Sequence, residues 1–192
     1  MNTQTILARQ LTTRYDVVCH RPKPEYLLQV RQLRALGQSV PSEMLDLIWT
    51  DFIFNLVVNA GLDDSLDKHL KGSGYTAAWY IGLTDGTPSF AAGDQESGHA
   101  GWVEVTAYDE AARQTLVLGA VSGQSVDNTA SKAVFTISSD DTTIGGAFLS
   151  TASVKGATVD TLYGGGAFTA GDKTIDDDDT LTLTITCTAS AS

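Results

Sequence analysis

The sequence predicts a mainly β protein, an antiparallel β-sandwich preceded by an α+β N-terminal segment with two short helices. Three observations lead there. From Tyr75 onward, short runs rich in β-branched and aromatic residues are separated by Gly, Asp, Asn and Ser about every ten residues, the texture of a sandwich with tight turns. The last run sets Thr180, Thr182, Thr184, Thr186 and Thr188 on one face and Leu181, Leu183, Ile185 and Cys187 on the other. That period of two describes a strand with one buried and one solvated face. Upstream of Gly72 the apolar spacing changes to the helical three and four, so residues 1–71 are expected to be a strand/helix anchoring segment and 72–192 the sandwich domain, immunoglobulin-like or jelly-roll-like.

Within the first segment, Thr3 to Arg21 ends in Arg14-Tyr15-Asp16-Val17-Val18-Cys19-His20, whose branched and aromatic content predicts a strand stopped by Pro22 and Pro24. Tyr26, Leu27, Val30, Leu33 and Leu36 predict a helix over Glu25–Leu36, closed by Gly37, with Arg31 and Arg34 expected on a solvated face rather than against an acidic partner. The alternation in residues 48–54 favours a strand pairing with the one that ends at His20, which makes residues 21–46 an insertion in a hairpin. Residues 55–71 read as a second helix with a Leu62, Leu66, Leu70 stripe and Gly72 as its stop. In the sandwich the expected strands are Ala77–Leu83, Val103–Tyr108, Leu116–Val121, Ala133–Ser138, Gly146–Ser150, Thr161–Ala167 and Leu181–Thr188.

Charge limits the possible partners. The chain of 192 residues carries 12 Lys+Arg and 23 Asp+Glu, a net −11, and the excess is one-sided. Residues 1–71 hold eight basic and eight acidic groups; residues 72–192 hold four and fifteen. Such a surface repels phosphate backbones and anionic headgroups, so neither nucleic acid nor membrane is an expected partner. No stretch approaches the roughly 18 apolar residues of a membrane span, and the first residues lack the basic-then-apolar build of a signal peptide, so synthesis in the cytoplasm is expected. Cys19 and Cys187 are too few for a disulfide framework and too far apart for a zinc motif, and are expected as free thiols in strands.

Catalytic constellations are not apparent. No nucleophile elbow, phosphate loop or zinc signature occurs, so no catalytic, cofactor-binding or metal residue is assigned and the chain is expected not to be an enzyme. His99, in Gly98-His99-Ala100-Gly101-Trp102, is expected to buttress its loop and Trp102. The run Asp176-Asp177-Asp178-Asp179 invites a calcium reading. Adjacent residues in extended chain diverge, however, and the run is expected to be a solvated acidic turn that discourages edge pairing. Gly164-Gly165-Gly166 is expected to mark a β-bulge or a close approach between subunits. The region 44–62 is more apolar than a small two-layer domain requires, which makes Leu47, Ile48, Trp49, Phe52, Phe54 and Val57, together with Trp102, the expected interface residues.

A linear succession of motifs resembles small virion structural proteins of tailed bacteriophages. It runs through Asn55-Leu56-Val57-Val58-Asn59-Ala60-Gly61-Leu62, Gly72-Ser73-Gly74-Tyr75-Thr76-Ala77-Ala78-Trp79-Tyr80-Ile81-Gly82-Leu83 and Ser97–Trp102. Asp127-Asn128-Thr129-Ala130-Ser131, Val134-Phe135-Thr136-Ile137, Gly145-Gly146-Ala147-Phe148-Leu149 and 156–164 continue it, so that it covers roughly residues 50–188. The resemblance implies a non-enzymatic component of the virion, made in the host bacterial cytoplasm. Capsid decoration (cement) on the outside of the head is the expected role. The alternatives are a tail or neck component, tail-fibre-like or adaptor-like, and a receptor- or carbohydrate-binding module with Trp79, Trp102 or Tyr108 as its platform. The partners it implies are other virion proteins, the major capsid protein or tail and neck proteins, and further copies of the chain, a trimer being one form to expect. Truncation of residues 1–54 is expected to leave the sandwich folded and to block incorporation into particles.

Overall fold

The structure, a computed structural model, describes residues 10–71, 73–74 and 78–190. The expected strand residues Thr3–Arg9 and Ala77, the Gly72 helix stop and the Leu70 side chain lie outside what is described. β1 (Gln10–Pro22) buries Thr13, Tyr15, Val17 and Cys19 and turns the intervening side chains outward. A short 3-10 turn at Pro24–Tyr26 leads into α1 (Leu27–Ala35). Its end is closed by Gly37 at φ 64: the Gly37 amide donates to the Arg34 carbonyl and the Gln38 amide to the Leu33 carbonyl, both at 2.9 Å, a Schellman motif. β2 (Leu45–Phe54) then returns antiparallel to β1, from Pro22 opposite Leu45 to Arg14 opposite Phe54. The hairpin with its long insertion is as the alternation in residues 48–54 implies.

β3 (Leu56–Val57) precedes α2 (Asn59–Leu66), which a π-helical turn at Asp67–Lys71 prolongs. The remaining strands are β4 (Trp79–Thr84), β5 (Glu104–Val105), β6 (Gln114–Leu116), β7 (Ser125–Asp127), β8 (Ala133–Thr136), β9 (Thr142–Ile144), β10 (Gly146–Ser150), β11 (Leu162–Ala167), β12 (Lys173–Ile175) and β13 (Thr180–Ser190). The first sheet runs β2-β1-β13, with β7 and β8 both beside β13. A second runs β3-β11-β10-β4, with β5 and β6 beside β4, and β9 pairs with β12 separately. All pairings are antiparallel.

The two sheets pack face to face. Tyr15, Val17, Ile53, Leu181, Leu183 and Ile185 of the first meet Ile81, Leu83, Ala147 and Leu149 of the second in one continuous core. The other face of the second sheet is covered too, where Phe148 and Leu162 gather Val58, Trp102, Phe90 and Ala60 into a smaller cluster. Glycines make this cover possible. Phe148 lies between Gly82 and Gly165 on the neighbouring strands, where a Cβ would strike the Phe148 ring and the Phe90 ring respectively. The expected bulge is present in β11, where Leu149 faces Gly164 but Ser150 faces Leu162. The glycine run approaches its own chain closely, since a Cβ at Gly164 or Gly166 would meet the Leu56 or Phe54 carbonyl.

Four readings change. The strand expected at Val103–Tyr108 shortens to Glu104–Val105. Leu56 and Val57 are strand, not helix, because the bare backbone of Gly164 and Gly165 lets them pair there. On α2, Leu62 and Leu66 are exposed, and the helix instead sets Gly61 against the Tyr163 backbone. The strand expected at Leu116–Val121 ends at Leu116, because its partner β4 begins at Trp79, opposite that residue.

The ranges 1–71 and 72–192 differ in charge but share a sheet. β1 lies between β2 and β13 and pairs with the whole of β13, from Gln10 opposite Ser190 to His20 opposite Thr180. Deleting residues 1–54 removes Tyr15, Val17 and Ile53 from the core and strips one side of β13. In contrast to the expectation from sequence, the truncated chain should show no cooperative urea transition by circular dichroism; a sharp native-like transition would contradict this placement.

Candidate assembly surface

Directly opposed residues of adjacent strands share a face. Phe54 opposite Arg14, Phe52 opposite Asp16, Thr50 opposite Val18 and Leu47 opposite His20 therefore line the solvent side of the first sheet. Leu47 is 59% and Phe54 65% exposed. Phe52 lies edge-on to Phe54 at 5.3 Å, with the Arg14 guanidinium 4.6 Å from its ring centre. Ile48 is the extra residue where the register with Cys19 and His20 shifts, and it is 42% exposed. Together these residues form an apolar ribbon along β2. Leu56, 41% exposed just beyond it, extends the ribbon and was not singled out from sequence.

Of the other expected interface residues, Trp49 turns inward and packs edge-on to Phe168 at 5.5 Å, and Val57 is half-buried in β3. Trp102 is 5% exposed. Its ring is stacked by His99 at 3.5 Å and Phe90 at 5.0 Å and touches Phe148, so it belongs to the core rather than to a surface. His99 also bonds the Trp102 carbonyl through Nδ1 at 3.0 Å, which is the buttress its loop position suggested. Tyr108 is buried as well, and Trp79 is half-buried against Tyr163, so these three aromatics present no exposed platform for a sugar.

The turns around the ribbon are fixed by buried carboxylates. Asp51, on the inner face of β2, accepts from Thr169 Oγ1 at 2.7 Å, the Phe52 amide at 2.7 Å and the Ala170 amide at 3.2 Å, and pairs with Lys173 at 3.1 Å. Burial pushes its carboxyl up, but these bonds together hold it below its ordinary value. The run Asp176–Asp179 is likewise structural. Arg21 forks onto fully buried Asp179 at 2.8 and 2.6 Å and reaches Asp176 at 2.8 Å. Arg31 binds Asp178 at 2.7 Å and Asp177 at 3.0 Å, and Arg34 donates to the Asp178 carbonyl at 3.0 Å. The turn expected to be solvated is instead the dock for α1, and the acidic partner of the Arg31/Arg34 face is this same chain. The carboxylates meet the guanidiniums in pairs, Asp176 and Asp179 on Arg21 and Asp177 and Asp178 on Arg31.

A third ionic knot lies under the second sheet. Arg113, 3% exposed, donates to both oxygens of Glu104 at 2.8 Å, to Glu96 at 2.6 Å and to the Ala152 carbonyl at 3.1 Å. Burial works against its charge, yet the two carboxylates raise its pKa above the ordinary value. Spacing did not reveal this group, because Glu96 and Arg113 lie in separate loops and Glu104 at the start of β5.

No family model, curated protein or solved structure matches the chain. The larger clefts, about 530 Å³ beside α2 and 610 Å³ beside α1, are lined by Asp63, Asp64, Asp67 and Asp160 in one and by Arg31, Arg34, Asp109 and Glu110 in the other. Among the described residues no hydroxyl or thiol bonds an imidazole, and no cluster of three or more His, Cys, Asp or Glu is placed to hold a metal. Both thiols are free, and burial pushes Cys19 up to about 12.

Two outcomes follow for stability. Arg113→Met leaves Glu96 and Glu104 buried without a counter-charge and should cost about 3–5 kcal/mol in urea unfolding, whereas Lys71→Gln, which breaks the exposed pair with Asp67, should leave the midpoint unchanged. Folding depresses the Asp51 carboxyl, so its contribution is complete above about pH 3.9 and disappears as pH falls through the lower folded value. The wild-type midpoint should therefore fall more steeply than that of Asp51→Asn below about pH 4; parallel curves would show that Asp51 is not the group responsible.

Proposed function

We propose that this chain is a structural protein of a tailed-bacteriophage virion, a decoration or cement protein on the outside of the head that works by lasting contact rather than by turnover. The observation that carries the reading is the apolar ribbon of β2, presented by a sandwich whose loops are tied down by buried ion pairs. A rigid body with one sticky edge suits assembly. The motif succession over residues 50–188 supports the same reading, and so does the acidic surface of residues 72–192, which discourages adhesion to nucleic acid during packaging. The partners are other virion proteins, foremost the major capsid protein, and further copies of the chain.

Purified particles of the source phage, labelled with an antibody to the C-terminal residues and imaged, should carry label over the head. Label confined to the tail or neck would move the protein there, and absence from mature particles would overturn the reading. The double variant Leu47→Lys, Phe54→Ser, altered only at exposed positions, should keep its thermal midpoint and lose most of its occupancy on particles.

A further inference from the structure

The segment between β1 and β2 stands apart from both cores. The Lys23 amide donates to the Met44 carbonyl at 2.9 Å and closes a neck, beyond which residues 24–43 carry α1. Val30 is the one buried side chain of α1, and no residue of 23–44 belongs to either apolar cluster or packs against one. The half-buried apolar residues Tyr26, Leu27, Leu33 and Met44 lie within the segment itself. Among the described residues, every hydrogen bond and ion pair from this segment to the body of the molecule starts on Arg31 or Arg34 and ends on Asp177 or Asp178. The cleft of about 610 Å³ beside α1 has Asp109, Glu110 and Thr136 of the body in its wall, so carboxylates rather than apolar side chains face the helix there.

We infer that residues 24–43 form a latched arm, which passes between a docked helical state and a released unfolded one while both sheets stay closed, with the contacts of Arg31 and Arg34 to Asp178 as the latch. Isolated helices shorter than about 12–15 residues are marginal in water, and α1 has nine. Its order therefore depends on the dock, and the dock is electrostatic. Segments with few buried apolar contacts are those that open while the rest of a protein stays folded. Opening stops at the neck, because from Pro22 opposite Leu45 onward the two ends of the arm are paired strands. The latch is also the least shielded of the ionic knots. Arg31 and Asp177 are half exposed, whereas Asp179 beneath Arg21, and Arg113 with its two glutamates, are closed off from water. Asp109, Glu110, Asp177 and Asp178 set four carboxylates against two guanidiniums at the cleft, and Asp140 accepts from the Asp177 amide nearby. This excess draws the arm in at low ionic strength, and its pull fades as the screening length shrinks from about 10 Å in 0.1 M salt to about 3 Å in 1 M.

The inference is independent of the virion reading, and the full chain in solution tests it. Amide hydrogen exchange is followed at residues 31–38 of the arm, with the β1 and β13 amides as internal reference, in about 0.05 M and about 1 M NaCl. The wild type is compared with Asp178→Asn. That variant removes the charge both arginines share, and asparagine accepts the φ of 66 found there, so the turn keeps its shape. In the wild type at low salt the arm amides should exchange faster than the reference. In 1 M salt they should accelerate by roughly fivefold or more relative to it, and Asp178→Asn should show a comparable acceleration already at low salt. Arm amides that exchange together with those of β1, or that miss either response, would overturn the latch. Should Asp178→Asn loosen the reference strands as well, the wild-type comparison between the two salt concentrations decides alone.

Discussion

The fold depends on one pairing, that of the first described strand with the last. β1 and β13 lie side by side from Gln10 to His20, and their inward residues Tyr15, Val17, Cys19, Leu181, Leu183 and Ile185 form the floor of the core. Closing so distant a pair costs loop entropy, which grows only slowly with length, and returns a continuous buried face. Once it has formed, β2 has a strand to lie against on one side and β7 and β8 on the other. The second sheet then has an apolar surface to cover.

An acidic chain must still manage its carboxylates, and this one directs several of them into the structure. Asp51, Asp179, Glu96 and Glu104 are each buried or nearly so, and each meets a cation or several N–H donors. Isolated ion pairs at a surface contribute little, but breaking one that is buried leaves a charge that water cannot reach. These knots join parts distant in sequence: Arg21 and α1 to the turn before β13, Asp51 to the turn before β12, and Arg113 to the loops around Glu96, Glu104 and Ala152. Rigidity of this kind suits a protein that holds position rather than one that opens to admit a substrate.

Much of this was legible in the residues. The Thr/Leu alternation of β13, the hairpin of β1 and β2, the Gly37 stop and the His99 buttress each follow from a local rule with few competitors. The partners of Arg31 and Arg34 were not legible, because the Asp run that receives them lies far along the chain and looks like a solvated turn when read alone. Trp102 was misplaced for the converse reason: a tryptophan in a glycine-rich loop reads as exposed unless Phe90 and Phe148 are known to close over it. Strands of three residues, such as β9 and β12, are too short to show a period at all. The β2 ribbon was visible as an excess of apolar side chains, but that it edges a sheet, with Trp49 turned in and Leu47, Phe52 and Phe54 out, is a property of the register with β1.

The apolar ribbon of β2 is the surface proposed to meet this protein's neighbours. Amide hydrogen exchange of residues 45–54, compared between the free dilute chain and the chain assembled in its native particle, tests it most directly. The account predicts strong added protection at residues 47–50 on assembly, with the already bridged residues 52–54 changing less. Equal exchange at residues 47–50 in the two states, with protection appearing elsewhere on the molecule, would contradict it.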